Sequence, residues 1–350
     1  MRIGVLTSGG DAPGMNAAIR AVVKAGIARG HTVLGVRNGY EGLLASDTVE
    51  LGLTDVDGIS RFGGTLLGSA RSKRFPTPEG QAEARARVAE IGLDGLVVIG
   101  GNGSLTGAHA LADGRPCQVV GLPGSIDNDI GHTHLCIGVD TAVNTIVEAC
   151  DRISDTARAH RRAFVVEVMG RASPYLAMRA GIAADADAIL YGELDEDSTV
   201  ASLREVLKRS FSDARGKKRV LIVKAEGVTV PTARIVERLA KFLETDAPGV
   251  GIRETILGHV VRGGAPSALD RLIAQRLALG AVSALESGQH DIMMAWEAED
   301  GVGTSTRDPS VRAVSLEDVL SETSRMLGGT SATSSGRAGL MAAYSSLLAL

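Results

Sequence analysis

The chain has 350 residues and a formal charge of −4, and its 44 glycines exceed the share of ~7% that is usual in proteins. Only 3% of the residues are aromatic. Neither this scarcity of rings nor the slight negative charge suits a nucleic-acid-binding protein, which uses stacking rings and a basic surface. With 44% hydrophobic and 22% charged residues the chain is expected to fold, and its length suits two packed lobes better than one core.

Apolar β-branched runs alternate with amphipathic segments along the chain. The first pattern predicts buried strands at Ile3–Leu6, Thr32–Val36, Leu96–Ile99, Val119–Leu122, Ala163–Val168, Ala188–Tyr191, Arg219–Val223 and Thr255–Val261. The second predicts helices at Asn16–Arg29, Pro78–Ile91, Thr141–Arg158, Val200–Ser212, Ala233–Glu244 and Ala268–Glu286. Alternation of this density predicts an α/β fold with mostly parallel sheets.

Two helix starts and one loop are marked by side-chain chemistry. Thr77 before Pro78 is a favourable helix start, because the hydroxyl caps the helix and proline loses no hydrogen bond at the first position. Ser315 with Asp318 three residues later has the spacing of a second cap. The low-complexity segment Gly328–Gly336 is predicted to be a loop or mobile segment before a tail helix.

The cysteines and the chain ends indicate a cellular compartment. Cys117, Cys136 and Cys150 lie in no metal-like spacing, so we expect reduced and mostly buried thiols. The N-terminus runs directly into a strand pattern and does not resemble a signal peptide. The uncharged stretch Ala338–Leu350 is too short to span a bilayer. A cytoplasmic protein with no membrane partner is expected.

Three predicted strands are followed by glycine-rich loops, at Ser8–Gly14, Gly100–Gly107 and Pro123–Asp129. Ligands of open α/β sheets bind at the carboxyl ends of strands, and glycine lets backbone N–H groups approach a phosphate closely. A single loop of this kind is better explained by a tight turn. Three such loops at successive strand ends favour phosphate binding.

Two familiar phosphate-binding motifs are absent. The chain has no G-x-x-x-x-G-K-[ST] sequence, which excludes a P-loop enzyme. The glycines 101, 103 and 107 resemble a dinucleotide fingerprint, but the spacing is one residue too long and the loop follows a later strand. A dehydrogenase is therefore disfavoured.

The third loop carries the strongest chemical signal. Asp127 and Asp129 flank Asn128, beside a glycine and a hydroxyl group. Phosphoryl transfer needs a carboxylate that accepts a hydroxyl proton, together with oxygen ligands for Mg²⁺. An Asx-rich turn is the structural alternative for the same residues.

Six motifs follow one another in order along the first 300 residues. They are SGGDAPGMNAAIR (8–20), GGTLLGSAR (63–71), IGGNGS (99–104), LPGSIDND (122–129), VEVMGR (166–171) and LGHVVRGG (257–264). Together they resemble the ATP-dependent 6-phosphofructokinase family of bacterial type. The resemblance implies two Rossmann-like three-layer α/β/α lobes. Residues 1–138 and about 260–305 would form a nucleotide-binding lobe, and 139–259 and about 306–350 a sugar-phosphate-binding lobe.

The resemblance also implies a reaction, the transfer of the ATP γ-phosphate to O1 of fructose 6-phosphate, and a role for each matching residue. Asp127 would be the base, Asp129 would support Mg²⁺ together with position 102, and Arg171 would stabilise the transferring phosphoryl group. The nucleotide would be bound by Gly10, Tyr40, Arg71, Gly101, Asn102, Gly103, Ser104 and Gly107. The sugar phosphate would be bound by Ser125, Met169, Gly170, Glu226, His259 and Arg262, with Arg162 and Arg253 reaching it from a neighbouring subunit. A homotetramer is the expected assembly.

Two glycines bear on the phosphoryl donor. Pyrophosphate-using members of the family typically carry an acidic residue in the second glycine loop and a lysine in the third. This chain has Gly103 and Gly124 at those positions, so the resemblance implies ATP as the donor.

Two site positions depart from the family pattern. Asn102 stands where the family has an aspartate that coordinates Mg²⁺, and it retains a carbonyl oxygen but not the negative charge that a hard cation selects. We therefore expect weakened metal handling and lower turnover with an intact fold. Ser125 replaces the usual threonine and keeps the hydroxyl group.

The effector pocket of the bacterial enzymes is only partly retained. Arg20, Lys217 and Lys218 match its basic positions, and Lys24 replaces an arginine, which loses the fork geometry. Other charges are missing, because the expected arginines and aspartate are replaced by Leu53, Ser154 and Gly58. Little or no response to phosphoenolpyruvate is expected.

Two other functions remain open at this point. A catalytically weakened homologue could serve as a regulatory or partner subunit, an alternative that the asparagine at position 102 and the eroded effector pocket suggest. A kinase for another phosphoketose, such as sedoheptulose 7-phosphate, would use the same phosphate-binding residues.

Overall fold

A computed structural model describes residues 1–212, 214, 216–297, 303–306, 308 and 310–339. The strands are β1 (Arg2–Ser8), β2 (Thr32–Val36), β3 (Thr48–Glu50), β4 (Gly95–Gly100), β5 (Gln118–Pro123), β6 (Arg162–Val168), β7 (Ala188–Leu190), β8 (Arg219–Ala225), β9 (Gly251–Ile256), β10 (Ile292–Trp296), β11 (Thr304–Ser305) and β12 (Val311–Ser315). The helices are α1 (Met15–Ala28), α2 (Gly39–Leu44), α3 (Pro78–Ile91), α4 (Asn102–Ala112), α5 (Val139–His160), α6 (Tyr175–Ala183), α7 (Glu196–Phe211), α8 (Thr232–Asp246), α9 (Ala268–Glu286) and α10 (Leu316–Leu327). Short 3₁₀ helices lie at Ile59–Arg61 and Gly258–Arg262, and residues 332–339 are also helical.

The chain forms two compact units. The first comprises Met1–Thr141 and Arg262–Ser331, and the second comprises Ala142–Val261 and the segment that begins at Ala332. Residues 306–331 therefore belong to the first unit, whereas the sequence analysis assigned them to the second lobe. The physical reason is a strand pairing, because β12 lies antiparallel to β10 and extends the sheet of the first unit.

The first unit is built on an eight-stranded sheet with the order β11-β12-β10-β5-β4-β1-β2-β3. The five strands from β10 to β2 are mutually parallel, and antiparallel strands complete both edges. The central strand β4 is buried at every residue, as expected of a parallel strand covered on both faces. Helices α1 and α9 pack against each other, while α4 packs with α3 and α10.

The second unit is built on a four-stranded parallel sheet with the order β7-β8-β6-β9. Helix α8 packs on β6, β9 and α7, and α6 packs on β7 and β8. The prediction of an α/β fold with mostly parallel sheets is confirmed for both units.

The predicted elements agree with the structure except in three places. The strand predicted at Thr255–Val261 is wrong, because β9 ends at Ile256 and Gly258–Arg262 is a 3₁₀ helix. Several elements were not predicted: the edge strands β3, β11 and β12, the parallel strand β10, and the helices α2 and α6. The loop predicted at Gly328–Gly336 ends at residue 331, where a helix begins, and residues 340–350 of the tail lie outside the described part.

The predicted helix caps are both present. The Thr77 hydroxyl accepts a hydrogen bond from the Gly80 amide at 3.1 Å, and the Ser315 hydroxyl accepts one from the Asp318 amide at 3.1 Å.

The three cysteines are buried, and burial raises the pKa of Cys117 to about 12 and that of Cys150 to about 11. Among the described residues, no helix is long and apolar enough to cross a bilayer.

One buried carboxylate ties the start of α9 to the start of α5 within the first unit. Asp270 is fully buried, and its Oδ1 accepts a hydrogen bond from the Gly138 amide at 2.9 Å. Its Oδ2 accepts from the amide and the hydroxyl group of Thr141, at 2.8 and 2.5 Å. Burial raises the pKa of this carboxyl group, while its hydrogen bonds act in the opposite direction.

We expect Asp270→Asn to lower the free energy of unfolding by about 1–3 kcal/mol. Both carboxylate oxygens accept from N–H donors, so an amide NH₂ group at either position would face a backbone N–H. Urea-induced unfolding measures the effect. Asp195→Asn is the matched control, because Asp195 caps α7 at an exposed position where asparagine caps equally well. Equal stabilities of Asp270→Asn and wild type would contradict the assignment.

Candidate functional site

The register of three adjacent strands brings the three glycine-rich loops together. Ser8 of β1 pairs with Gly100 of β4, and Gly100 pairs with Pro123 of β5. The loops at residues 8–14, 100–107 and 123–129 therefore leave the sheet from one row, at its carboxyl edge. This is the place where open parallel sheets bind ligands.

The first loop is held by an arginine from a distant part of the chain. The Arg262 guanidinium donates a hydrogen bond to the Asp11 carbonyl at 3.1 Å, and the side chain is largely buried. A Cβ on Gly10 would lie 2.8 Å from Arg262 Nη1, so Gly10 is needed for this close approach. The sequence analysis assigned Arg262 to the sugar phosphate, and the structure places its guanidinium beside the first glycine loop.

The second loop leads directly into the N-terminus of α4. Gly101 precedes the helix, Asn102 is its first residue and is half-buried, and Ser104 is buried. A Cβ on Gly103 would have no neighbour within 4 Å, so open space lies beside this turn. The first N–H groups of an α-helix have no partner within it and, with the helix dipole, favour an anion.

The Tyr40 ring packs against Gly107 of α4. The Tyr40 hydroxyl donates to the Ser104 carbonyl at 2.6 Å, and the ring stacks on Phe75 at a centroid distance of 3.9 Å. Tyr40 is only 5% exposed, and burial raises the pKa of its phenol. The structure thus gives Tyr40 a packing role that supports the second loop. The contact with a nucleotide that the sequence analysis assigned to Tyr40 and Gly107 stays a prediction.

The third loop is shaped by Asn128, which lies in the left-handed region with φ of 49°. Its Nδ2 donates to the His134 carbonyl at 3.2 Å, and its Oδ1 accepts from the Cys136 amide at 3.0 Å. The Asp127 amide donates to the Ser125 hydroxyl at 3.2 Å, and Ser125 Oγ lies 3.4 Å from Asp129 Oδ1. Asn128 is therefore the structural residue of the loop, and it orients the two aspartates beside it. Asp127 is buried and Asp129 is half-buried.

The segment that carries Arg71 is anchored by a residue that the sequence analysis did not single out. Asn16 Nδ2 donates to the Phe62 and Gly63 carbonyls at 3.1 Å each, and its Oδ1 accepts from the Leu66 amide at 2.6 Å. Arg71 itself is exposed at the end of this segment. The position of Asn16 within the first motif, at residues 8–20, was the available signal in the sequence.

In the second unit, the predicted sugar-phosphate residues lie after the carboxyl ends of neighbouring strands. Met169, Gly170 and Arg171 follow β6, and Glu226 follows β8. Arg171 has φ of 51°, and its amide donates to Glu226 Oε1 at 2.8 Å. This hydrogen bond joins the two strand exits. His259 is exposed in the 3₁₀ helix after β9.

Arg162 and Arg253 lie in the other half of the same sheet. Arg162 is the first residue of β6 and pairs with Gly251 at the start of β9, and Arg253 pairs with Phe164. A Cβ on Gly251 would lie 3.7 Å from Arg162 and 3.9 Å from Arg253, so both side chains flank this glycine. From Arg162 to Val168, β6 rises about 20 Å. The structure therefore separates this arginine pair from the Met169–Arg171 loop.

The effector-pocket positions are only partly available for an anion. Lys217 forms an ion pair with the buried Asp187, which also accepts a hydrogen bond from Arg219 at 3.3 Å. Arg20 and Lys24 lie one helical turn apart on α1, and Lys218 is exposed. In the second unit, Asp187 contacts both Lys217 and Arg219, so its single negative charge engages Lys217 without balancing both cations.

The structure combines a mostly parallel α/β sheet with three glycine-rich loops that leave the sheet from one row. One of these loops carries two aspartates. Together these features define the class of a phosphotransferase. A family model described as phosphofructokinase matches residues 2–285. The chain belongs to the phosphofructokinase family.

Individual relatives agree with this assignment. An ATP-dependent 6-phosphofructokinase of Thermotoga neapolitana is 47% identical over 319 residues, which are 91% of this chain and 96% of that protein. The ATP-dependent 6-phosphofructokinase 1 of Thermus thermophilus is 47% identical over 84% of this chain and 88% of its own length. The structure of phosphofructokinase from Saccharomyces cerevisiae matches with a TM-score of 0.83 and 35% identity over 96% of this chain. This chain spans 48% of that yeast chain.

The glycines of α4 provide a test of the packing behind the second loop. We expect Gly107→Ala to lower the free energy of unfolding by roughly 1–3 kcal/mol, because a Cβ there would lie 2.8 Å from the Tyr40 ring and 2.9 Å from Phe75. Gly103→Ala is the matched control, since it adds the same methyl group to the same helix in open space. Thermal or urea unfolding of both variants measures the difference. If Gly107→Ala is as stable as Gly103→Ala, the packing role of Tyr40 is refuted.

Proposed function

We propose that this chain transfers the γ-phosphoryl group of ATP to O1 of fructose 6-phosphate, giving fructose 1,6-bisphosphate and ADP, a step of glycolysis. The observation that carries the proposal is the row formed by Ser8, Gly100 and Pro123, from which three phosphate-suited loops emerge. The family assignment and the names of the relatives support it. No observation favours a partner subunit or another acceptor over this reaction.

In the proposed reaction Asp127 is the general base. As its carboxylate accepts the proton of the sugar 1-hydroxyl, a bond forms between O1 and the γ-phosphorus, and the bond from that phosphorus to the β-phosphate oxygen breaks. The loop holds this carboxylate through the bond from the Asp127 amide to Ser125 and through the αL turn at Asn128. Burial keeps water from competing for the carboxylate.

The nucleotide phosphates are proposed to lie against the first two loops. Gly10 and Gly103 leave bare backbone there, and the N-terminus of α4 supplies N–H donors and a favourable dipole. An acidic side chain at position 103 would enter the open space beside that glycine. Its absence supports ATP over pyrophosphate as the donor.

The oxygen-bearing side chains present are suited to Mg²⁺ that arrives with ATP. The described residues contain no group of three or more His, Cys, Asp or Glu side chains that could hold a metal on their own. Mg²⁺ is commonly bound by one or two carboxylates together with substrate phosphates and water. We propose that Asp129 and the Asn102 carbonyl serve it, and that it supplies charge neutralisation of the phosphates.

The residues of the second unit are proposed to act on the sugar phosphate and on the transferred group. Arg171 carries a fixed positive charge on an exposed side chain, which suits charge stabilisation during transfer. Glu226 contributes a carboxylate for sugar hydroxyl groups, and the Met169–Gly170 backbone lies beside it. We propose that His259, which is exposed after β9, contacts the 6-phosphate.

The positions of Arg162 and Arg253 support an oligomeric active form. Arg162 lies about 20 Å along β6 from the loop that carries Arg171, which is more than one sugar monophosphate spans. We propose that Arg162 and Arg253 serve the site of a neighbouring copy in a homotetramer. We also propose that this homotetramer responds weakly to phosphoenolpyruvate, because Lys217 of the effector pocket already forms an ion pair with Asp187.

A crossed assay on the purified protein tests the function. We expect product only with ATP and fructose 6-phosphate among the combinations of ATP or pyrophosphate with fructose 6-phosphate or sedoheptulose 7-phosphate. The readout is ADP or phosphate release, coupled to direct detection of the bisphosphate. Binding of fructose 6-phosphate without product at saturating Mg-ATP would overturn the proposal in favour of a partner subunit. Faster turnover of sedoheptulose 7-phosphate would replace the acceptor.

Restoring a carboxylate at position 102 tests the metal assignment. We expect Asn102→Asp to raise turnover and to lower the Mg²⁺ concentration at half-maximal rate, by about tenfold if the added charge contributes about 1.4 kcal/mol. Asn144→Asp, the same change at an exposed position of α5, is the control and should leave the Mg²⁺ dependence unaltered. Rates titrated with Mg²⁺ at fixed ATP decide the question. No gain in Asn102→Asp would sink the hypothesis.

A further inference from the structure

An ion pair between a buried lysine and a half-buried glutamate lies directly before the predicted sugar-phosphate loops of the second unit. Lys224 of β8 is 2% exposed, and its Nζ lies 3.0 Å from Glu167 Oε2 of β6. The two residues are register partners across the parallel strands. No role in the proposed reaction requires a charge at either position.

The ion pair is connected to three elements. Glu167 Oε2 also accepts a hydrogen bond from the hydroxyl group of Thr232, which is the first residue of α8 and is buried. The Glu167 carbonyl accepts from the Leu257 amide at 3.0 Å, which fixes the chain just after β9. Glu167 therefore links the carboxyl ends of β6 and β9 to the start of α8.

The pair also lies two positions before the first residues proposed to bind substrate, Met169 and Glu226. After Glu167 and Lys224, the next row is Val168 and Ala225, and beyond it the chain enters the loops that carry Arg171 and Glu226. Lys224 Nζ lies 3.5 Å from the Ala225 carbonyl, immediately before Glu226. The Glu226 amide donates to the Val168 carbonyl at 2.9 Å, which continues the ladder into the loop.

The loops above the pair hold a conformation that needs support. Arg171 has φ of 51° and Gly170 has φ of 151°, and a non-glycine residue at positive φ costs free energy unless its surroundings hold it. The bond from the Arg171 amide to Glu226 Oε1 supplies part of this support. That bond forms only if the ends of β6 and β8 keep their register.

We propose that Lys224 and Glu167 are positioning residues, which lock the ends of β6 and β8 so that Arg171 and Glu226 are presented together to the sugar phosphate. A buried ion pair is a poor source of stability, because desolvation offsets most of its attraction, but removing one partner leaves an uncompensated charge. The expected consequence of breaking the pair is displacement of both loops. The proposal rests on the proposed function of Arg171 and Glu226.

The test is Lys224→Met, which keeps the length and the burial of the side chain but removes its charge. We expect kcat/KM for fructose 6-phosphate to fall by roughly tenfold to hundredfold, while KM for ATP stays within about twofold. Lys241→Met is the matched control, since Lys241 pairs with Glu237 at the same distance of 3.0 Å on the exposed surface of α8. It should behave as wild type in both parameters. A folded Lys224→Met enzyme with kcat/KM for the sugar within about twofold of wild type would overturn the proposal.

A second variant keeps the test decisive if Lys224→Met does not fold. Glu167→Gln retains an oxygen for Lys224 and Thr232 but loses the charge, and we expect a smaller decrease in the same parameter. In the double variant Lys224→Met with Glu167→Gln, the second change should cost less than it does in wild type, because no uncompensated carboxylate remains. Additive losses, or a Glu167→Gln enzyme with wild-type kinetics, would refute the pair as a positioning device.

Amide hydrogen exchange separates this proposal from the proposed function. We expect peptides that contain Arg171 and Glu226 to exchange faster in Lys224→Met than in wild type or in Lys241→Met, whatever the substrate of the protein. If wild type lacks fructose 6-phosphate kinase activity but the exchange changes as expected, the proposed function fails and the positioning role stands. Unchanged exchange at both loops in an active enzyme refutes the positioning role alone.

Discussion

The register of β1, β4 and β5 is the constraint on which the remaining site geometry of the first unit depends. Because Ser8, Gly100 and Pro123 are aligned across three parallel strands, three loops from separate parts of the sequence leave the sheet from one row. These strands are buried on both faces, so a slip by one residue would exchange the side chains that pack on the two faces and would disrupt both packed layers. The packing of the core thus brings together the three loops whose backbone is suited to binding phosphate.

Polar side chains shape two of these loops and the segment that precedes Arg71. Asn128 closes the third loop, Asn16 holds the segment before Arg71, and Arg262 supports the first loop. The second unit follows the same principle with an ion pair beneath its strand exits. In both units the residues proposed to act on the substrate lie on loops that polar contacts hold in place. Precise positioning of reacting groups requires such support.

The two departures from the family pattern, at Asn102 and at the effector-pocket positions, lie in different structural surroundings. Asn102 lies at a helix start with open space beside the next residue, so a change of charge there is not expected to strain the core. Among the proposed effector positions, Lys217 contacts the buried Asp187, which it shares with Arg219. The weakened metal handling that we propose is therefore compatible with an intact fold.

The sequence by itself determined the α/β class, most strands and helices, and the three glycine loops, because apolar periodicity and turn chemistry are local properties. It also supplied the motifs on which the family resemblance depends. Only the tertiary structure decided that β12 completes the first sheet, that Gly258–Arg262 leaves the strand, and that Lys224 faces Glu167. These features depend on pairing between distant segments. A lysine in an apolar strand looks like an interruption until its partner on the neighbouring strand is known.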